Sequence, residues 1–219
     1  AYKTLFNSEL ISFPTVDGPV VLMTLTDGSR FTVRDVMLAS PTEDAVSCKT
    51  LFGNGLQVTL SALESLQFLG GRFVYLSELK PFNYRSTPFL SRHWDLQTNR
   101  TVLGGQLLLR GTNYALGIGM HSKSEVSYKL DGKFSRFQAT IGIDDETNGG
   151  GSVVFAIDAD AKRVFTSKLI TGKSTAVVIP PIDVDGVSVL TLHVDFGTFG
   201  DINDHADWCD AVLIRKRIE

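Results

Sequence analysis

The stretch "KFSRFQATIGI" (residues 133–143) decides the fold class, because apolar and polar side chains alternate along it. Every second residue from Phe137 to Ile143 is apolar, while Gln138 and Thr140 fall between them. A period of two puts the apolar side chains on one face of an extended chain and the polar ones on the other. The stretch therefore predicts a β-strand with one face in a core.

The same signal recurs on both sides of this stretch. "VSVLTLHVDF" (187–196) alternates in the same way. "VVLMTLTDGSRFTVRDVML" (20–38) places two apolar runs around Asp-Gly, and "AVSCKTLFGNGLQVTL" (45–60) repeats the device around Gly-Asn-Gly, both of which are hairpin signals. No segment carries a sustained period of 3.6 residues, so the chain is predicted to be all-β.

Two units are predicted. Residues 1–70 are expected to form a small β-meander or SH3-like barrel of unknown role, and residues 72–219 an antiparallel β-sandwich with short strands between turns. Gly70 and Gly71 are the best candidate for the boundary between them.

Composition excludes several classes of protein. With 219 residues, of which 43% are hydrophobic and 21% charged, the chain can bury a core. A net charge of −3 argues against a nucleic-acid partner, and no apolar run is long enough for membrane insertion. No signal peptide is visible. Cys48 and Cys209 are far apart in sequence, which favours two buried thiols over one long-range disulfide.

The stretch "GDINDHADWCDAVLIRK" (200–216) gathers acids, an imidazole and an indole before the last strand. Because each antiparallel strand reverses the chain, alternate loops lie at the same end of a sandwich. This parity brings the loop before the last strand beside "GIGMHSK" (117–123) and "DDETNGGG" (144–151). The residues predicted to share this end are His121, Asp144, Asp145, Asp204, His205 and Asp207.

Several chemistries could use such a rim. The Asp-rich loop at 201–210 could hold a structural calcium, and no other cofactor is expected. Asp145 and Asp204 could form a hydrolytic carboxylate pair, but no nucleophile elbow, phosphate loop or zinc motif accompanies them, so no enzyme is predicted. Planar polar groups beside an aromatic ring suit a sugar. Trp208 is either the core anchor of the last strand or an exposed platform.

Four segments then carry a resemblance to a known family: "FVYLSELKP", "YALGIGMHSKSEVSYKLDGKFSRFQATIGIDDE", "GSVVFAIDADAKRVFTS" and "DHADWCDAVL". In this order they resemble the NPCBM family of carbohydrate-binding modules over about residues 73–216. The resemblance implies a galactose-binding-like jelly roll, a non-catalytic role in secreted or cell-surface proteins, galactose-type ligands and, in some members, a structural calcium.

Together these observations predict a shallow carbohydrate site formed by His121, Asp145, Asp204, His205 and Trp208. The predicted protein is a non-catalytic carbohydrate-binding module, extracellular or periplasmic, associated with a larger multidomain or cell-surface protein. The alternative that stays open is a structural or protein-interaction module with no sugar ligand.

Overall fold

A computed structural model of the chain describes residues 20–38, 44–69, 71–89, 92–198 and 200–216. The chain divides into two compact units, Ala1–Gly71 and Arg72–Glu219. Residues 1–19 and Gly70, which belong to the predicted small unit and its boundary, lie outside the described residues. Both units are built from antiparallel strands, so the all-β prediction is confirmed.

The first unit is a five-stranded antiparallel sheet with a 3-10 helix at Leu60–Ala62. Its strands are β1 (Val20–Leu25), β2 (Arg30–Leu38), β3 (Ala45–Thr50), β4 (Gly55–Thr59) and β5 (Leu63–Leu69). The strand order β4-β3-β2-β1-β5 is a meander whose fifth strand returns to pair with the first. The Asp-Gly signal forms the β1–β2 turn, where Gly28 has φ of +83° and Asp27 accepts a hydrogen bond from the Ser29 amide.

The second unit contains fifteen strands among the described residues, together with 3-10 helices at Leu76–Glu78 and Asp145–Thr147. The strands are β6 (Phe73–Tyr75), β7 (Asn83–Ser86), β8 (Gln97–Thr98), β9 (Leu107–Leu109), β10 (Thr112–Tyr114), β11 (Gly117–His121), β12 (Ser124–Lys129), β13 (Phe134–Ile143), β14 (Ser152–Ala159), β15 (Lys162–Thr166), β16 (Ile170–Thr171), β17 (Val177–Val178), β18 (Ile182–Asp183), β19 (Val189–Phe196) and β20 (His205–Arg215).

Most of these strands form two antiparallel sheets. The seven-stranded sheet has the order β17-β13-β20-β11-β8, with β18 added beside β13 and β6 beside β20. The six-stranded sheet has the order β15-β14-β19-β12-β7, with β16 beside β14. β9 and β10 form a separate two-stranded hairpin. The predicted sandwich is therefore present.

The core of this unit follows the alternation read from the sequence. Phe137 and Ile141 of β13 are fully buried, and so are Leu190 and Leu192 of β19. The last strand carries a bulge, because its pairing with β13 shifts near Asp210, which has φ of +47°. The bulge lets side chains three residues apart enter the same core, as Trp208 and Ala211 do.

The other face of the seven-stranded sheet is covered at one end by residues 100–109, which we call the strap. Glycines on the neighbouring strands allow this approach. A Cβ on Gly119 would lie 2.4 Å from the Arg100 carbonyl oxygen, and one on Gly142 would lie 2.9 Å from the Leu109 side chain. Beside the strap, the backbone of the sheet is therefore approached directly by a second layer of chain.

Two further expectations concern cysteines and membranes. Cys48 and Cys209 are both free and buried, as the favoured alternative predicted. Among the described residues, no helix has the length and apolar character needed to cross a membrane.

Candidate functional site

An open cavity of about 460 Å³ lies where β11 ends and β20 begins. His121 and His205 face each other in the register of these two strands. Because Ile118 and Met120 of β11 point into the core, His121 lies on the outer face of the sheet, on the side of the strap. The residues that line the cavity are Arg92, Trp94, Leu103, His121, Asp201, Ile202, Asn203 and His205.

His121 forms the floor of the cavity together with Trp94. The two rings are stacked, with centroids 4.3 Å apart and planes 8° from parallel. The Arg92 guanidinium also lies over the indole, 3.7 Å from its centroid. His121 Nδ1 lies 2.7 Å from the Ser122 carbonyl oxygen. Burial lowers the pKa of His121 below its usual value, although the Ser122 carbonyl acts in the opposite direction, and the lowered pKa favours the neutral imidazole near pH 7.

His205 is the second imidazole of the site, with its ring centroid 5.6 Å from that of His121. Its Nδ1 lies 2.8 Å from Oε1 of Glu146, which belongs to the 3-10 helix after β13. Glu146 Oε2 accepts a hydrogen bond of 2.8 Å from the hydroxyl of Thr101, at the start of the strap. A chain of hydrogen bonds thus joins the strap to His205 through Glu146.

Asp204 lies next to the cavity, but its carboxylate forms hydrogen bonds with other parts of the fold. It is 1% exposed, and its two oxygens accept from the Ser122 hydroxyl at 2.5 Å and from the Ser152 amide at 2.7 Å. Burial raises the pKa of Asp204, and these two donors counteract the rise. The side chain thus joins the residue before β20 to the segment before β12 and to the first residue of β14.

Asp145 is also held by backbone amides. Its oxygens accept from the Arg110 amide at 3.0 Å and the Gly111 amide at 2.7 Å, which secures the β9–β10 turn. Its neighbour Asp144 accepts from the Leu108 and Glu146 amides. Neither carboxylate lines the cavity.

Trp208 adopts the core alternative that the sequence left open. Its side chain is fully buried and meets Phe155 edge to face, with ring centroids 5.1 Å apart. The register explains this position, because Trp208 pairs with Ile118 and Ile141, both of which point into the core. Trp208 therefore cannot serve as a platform for a ligand.

Asp207 does not lie in a loop, contrary to the expectation that the loop extends to this residue, because β20 already begins at His205. It stands on the outer face between Gly119 and Gly142 and is fully buried. No described group donates a hydrogen bond to either carboxyl oxygen. Burial, followed by the neighbouring Asp144, raises the pKa of Asp207 well above its usual value.

The sequence did not identify Trp94, Arg92 or the rim residues Leu103, Asp201 and Asn203 as parts of the site. The segment that holds Arg92 and Trp94 is irregular, so no periodicity marks it. The signal in the sequence that could have indicated this part of the site is the indole of Trp94 within a polar, irregular segment. The structure brings together His121 and His205 of the predicted set.

The structural calcium expected in the loop at 201–210 stays a prediction. In the part of the chain that the structure describes, no three His, Cys, Asp or Glu side chains are grouped to hold a metal ion. The carboxylate of Asp204 already accepts two hydrogen bonds, which leaves it fewer lone pairs for a cation.

The sandwich and its cavity define a β-sandwich module of the galactose-binding-like class. The NPCBM/NEW2 domain family matches residues 72–214, and the chain belongs to this family. The resemblance predicted from the sequence is therefore confirmed.

Solved structures agree with this assignment. The chain is similar to the CBM51 module from Clostridium perfringens GH95 in complex with methyl-galactose, at 30% identity and a TM-score of 0.58, over 64% of this chain and 99% of that one. It is also similar to the structure of CBM51-2 in complex with GlcNAc and INT domains from Clostridium perfringens ZmpB, at 20% identity and a TM-score of 0.60, over 94% and 45% of the two chains. The second likeness shows the fold alone.

Curated relatives are much longer proteins. A protein of Renibacterium salmoninarum named as an endo-alpha-N-acetylgalactosaminidase is 32% identical over 111 residues, which are 51% of this chain and 7% of that protein. Alpha-1,3-galactosidase B of Akkermansia muciniphila is 29% identical over 119 residues, or 53% and 15% of the two proteins. The chain thus spans a small part of each relative.

Proposed function

We propose that the unit at Arg72–Glu219 is a non-catalytic carbohydrate-binding module that binds galactose-type sugars in the cavity between β11 and β20. The observation that carries this proposal is the convergence of His121, His205 and Trp94 in one open cavity. Imidazole nitrogens can bond sugar hydroxyls, and an indole face can cover sugar C–H groups.

Arg92 defines how a sugar would enter. Its guanidinium is exposed and lies over the Trp94 ring, on which His121 is also stacked. A sugar ring that packs on the indole would replace Arg92, whose side chain could then donate hydrogen bonds to hydroxyls at the edge of the ring. Asp201 and Asn203 complete the polar rim.

The carboxylates support a non-catalytic role. Glycoside hydrolysis ordinarily uses two carboxyl groups that flank the scissile bond. Asp145 and Asp204, the pair considered from the sequence, bind backbone amides and a serine hydroxyl instead of lining the cavity. The glycosidase activities named for the curated relatives belong to proteins of which this chain matches a small part.

The ligand class rests on a relative whose whole length is matched. The Clostridium perfringens module in complex with methyl-galactose is covered over 99% of its chain at 30% identity. Affinity should be weak, on the order of micromolar to millimolar, because an open cavity exchanges hydrogen bonds to water for hydrogen bonds to protein.

A glycan array followed by calorimetry on each hit tests the proposal. We expect His121→Ala and Trp94→Ala each to weaken binding at least about tenfold, since each removes part of the floor of the cavity. His93→Ala is the matched control, because His93 is an exposed neighbour that does not line the cavity. If all three variants were folded and bound the sugar as tightly as the wild type, the site would lie elsewhere. No binding of the wild type to any glycan would refute the proposal.

The alternative is a protein-interaction module, and one observation favours it. Leu103 and Ile202 are 57% and 69% exposed on the rim of the cavity, where a protein partner could cover them. A rim that serves only a protein partner needs no cavity, whereas this rim borders a cavity of about 460 Å³. The glycan array separates the two functions.

We further propose that the module works outside the cytoplasm as part of a larger protein. Related CBM51 modules occur beside a catalytic domain and INT domains in ZmpB of Clostridium perfringens. Recovery of the intact protein from the cell surface or culture medium of its source would support this location, and recovery from the cytoplasm alone would contradict it.

A further inference from the structure

The directions of the hydrogen bonds around the two imidazoles determine which ring nitrogens carry protons. His121 Nδ1 lies 2.7 Å from a carbonyl oxygen, that of Ser122, and a carbonyl can only accept. His205 Nδ1 lies 2.8 Å from the Glu146 carboxylate, which also accepts when ionised. Each Nδ1 therefore carries a hydrogen, and in a neutral ring Nε2 is then a bare acceptor.

The chain of bonds behind His205 has one polarity from end to end. The Gly105 amide donates to Thr101 Oγ1 at 3.0 Å, and an amide N–H can only donate. The hydroxyl hydrogen of Thr101 is then directed to Glu146 Oε2, at 2.8 Å. Glu146 Oε1 remains for His205. Since Thr101 is fully buried, no solvent competes for its hydroxyl.

We propose that Glu146 is a positioning residue that holds His205 in the Nδ1–H tautomer, so that the site offers ligands two Nε2 acceptors, one on His205 and one on His121. This inference deepens the proposed function and rests on it for the ligand. The ligand class is a neutral sugar with two hydroxyl groups that act as hydrogen-bond donors. Both rings line the same cavity with centroids 5.6 Å apart, close enough for one small ligand to reach the exposed edges of His121 (1% exposed) and His205 (8% exposed).

The variant Glu146→Gln tests the positioning role because glutamine has one acceptor and one donor. The Thr101 hydrogen takes the amide oxygen, and the amide NH₂ then faces His205 Nδ1. That nitrogen must become the acceptor, so the proton moves to Nε2 and the site gains a donor where it had an acceptor. Adding Thr101→Val removes the competing hydrogen, lets the glutamine turn its oxygen to His205 and restores the original tautomer.

Nitrogen-15 NMR of the histidine rings in the full chain at about pH 7.5, above the usual pKa of histidine, reads the tautomers without any ligand. We expect Nδ1–H for His121 and His205 in the wild type, Nε2–H for His205 in Glu146→Gln, and Nδ1–H again in the double variant. A wild-type His205 protonated on Nε2, or on both nitrogens, would overturn the proposal. An unchanged tautomer in Glu146→Gln would also overturn it.

Calorimetry with methyl galactoside and its monofluoro analogues tests recognition. Fluorine accepts but does not donate, so we expect two of the replaced hydroxyls each to cost the wild type about tenfold in affinity. Glu146→Gln should lose about tenfold for the parent sugar, and the double variant should recover it. Equal binding of all analogues would overturn the two-acceptor site while leaving sugar binding intact. No binding of any sugar would refute the proposed function. The NMR measurement would still test the positioning role of Glu146, because it needs no ligand.

Discussion

Replacing Asp204 with alanine separates a structural role from a role in ligand binding. The carboxylate accepts two hydrogen bonds in a site that is 1% exposed, from Ser122 Oγ and the Ser152 amide. Hydrogen bonds to a charged group contribute about 1.5–3 kcal/mol each, so their sum is about 3–6 kcal/mol. Because burial opposes the ionised form of Asp204, part of this sum is offset. We therefore expect Asp204→Ala to lower the free energy of unfolding by about 2–4 kcal/mol.

Urea unfolding at pH 7, followed by tryptophan fluorescence, measures this loss in the second unit, because both tryptophans of the chain, Trp94 and Trp208, belong to it. With a urea dependence of about 2 kcal/mol/M, the midpoint should fall by about 1–2 M at an unchanged slope. Asp204→Asn should lose less, since an amide oxygen still accepts from Ser152. Asp201→Ala is the matched control on the cavity rim and should change stability by less than about 0.5 kcal/mol.

The opposite pattern would refute this reasoning. If Asp204→Ala were as stable as Asp201→Ala yet lost sugar affinity, the carboxylate would be a ligand contact, and its hydrogen bonds to the fold would contribute little.

Three other perturbations test neighbouring features. Burial raises the pKa of Asp207, so its contribution to stability falls as pH rises from the unfolded value near 4 towards the folded value. Asp207→Asn keeps the shape of the side chain but cannot ionise, so it should gain at least about 1 kcal/mol on the wild type between pH 4 and pH 8, and parallel pH profiles in urea unfolding would contradict this. Gly119→Ala should lower the free energy of unfolding by about 1–3 kcal/mol, measured by thermal unfolding, because its Cβ would lie 2.4 Å from the Arg100 carbonyl oxygen. Gly55→Ala, whose Cβ would have no atom within 4 Å, should leave the free energy of unfolding unchanged. A calcium bound by the acidic segment 201–210, of which residues 205–210 lie in β20, would stabilise the folded state, so we expect a chelator to lower the melting temperature. Identical melting curves with and without the chelator would argue against the ion.

Much of the fold could be predicted because a period of two in the sequence indicates both that a segment is a strand and which of its side chains face the core. The alternation in residues 133–143 and 187–196 correctly gave the buried faces of β13 and β19. Loop parity needs only antiparallel order, and the structure brings His121 beside His205 as parity requires.

Features that depend on tertiary contacts could not be predicted in this way. The bulge at Asp210 requires a positive φ, which no pattern in the neighbouring sequence predicts. The bulge changes which residues of β20 face the core. Asp207 looked like a loop residue because acids are rare inside sheets, whereas the flanking glycines leave space for its side chain and burial raises its pKa, which favours the neutral carboxyl. Trp94 joins the site through stacking on His121, a contact with no sequence period.

The glycine-supported strap has a consequence for how this site can diversify. One wall of the cavity, at Leu103, belongs to a layer pressed on sheet backbone, and a substitution at Gly119 beneath it would disturb the scaffold as well as the wall. Elsewhere on the rim, Ile202 is 69% exposed and belongs to no strand. Mutational freedom is therefore unevenly distributed around the proposed site, and we expect evolution and design alike to change sugar preference through Ile202 while the strap keeps its shape.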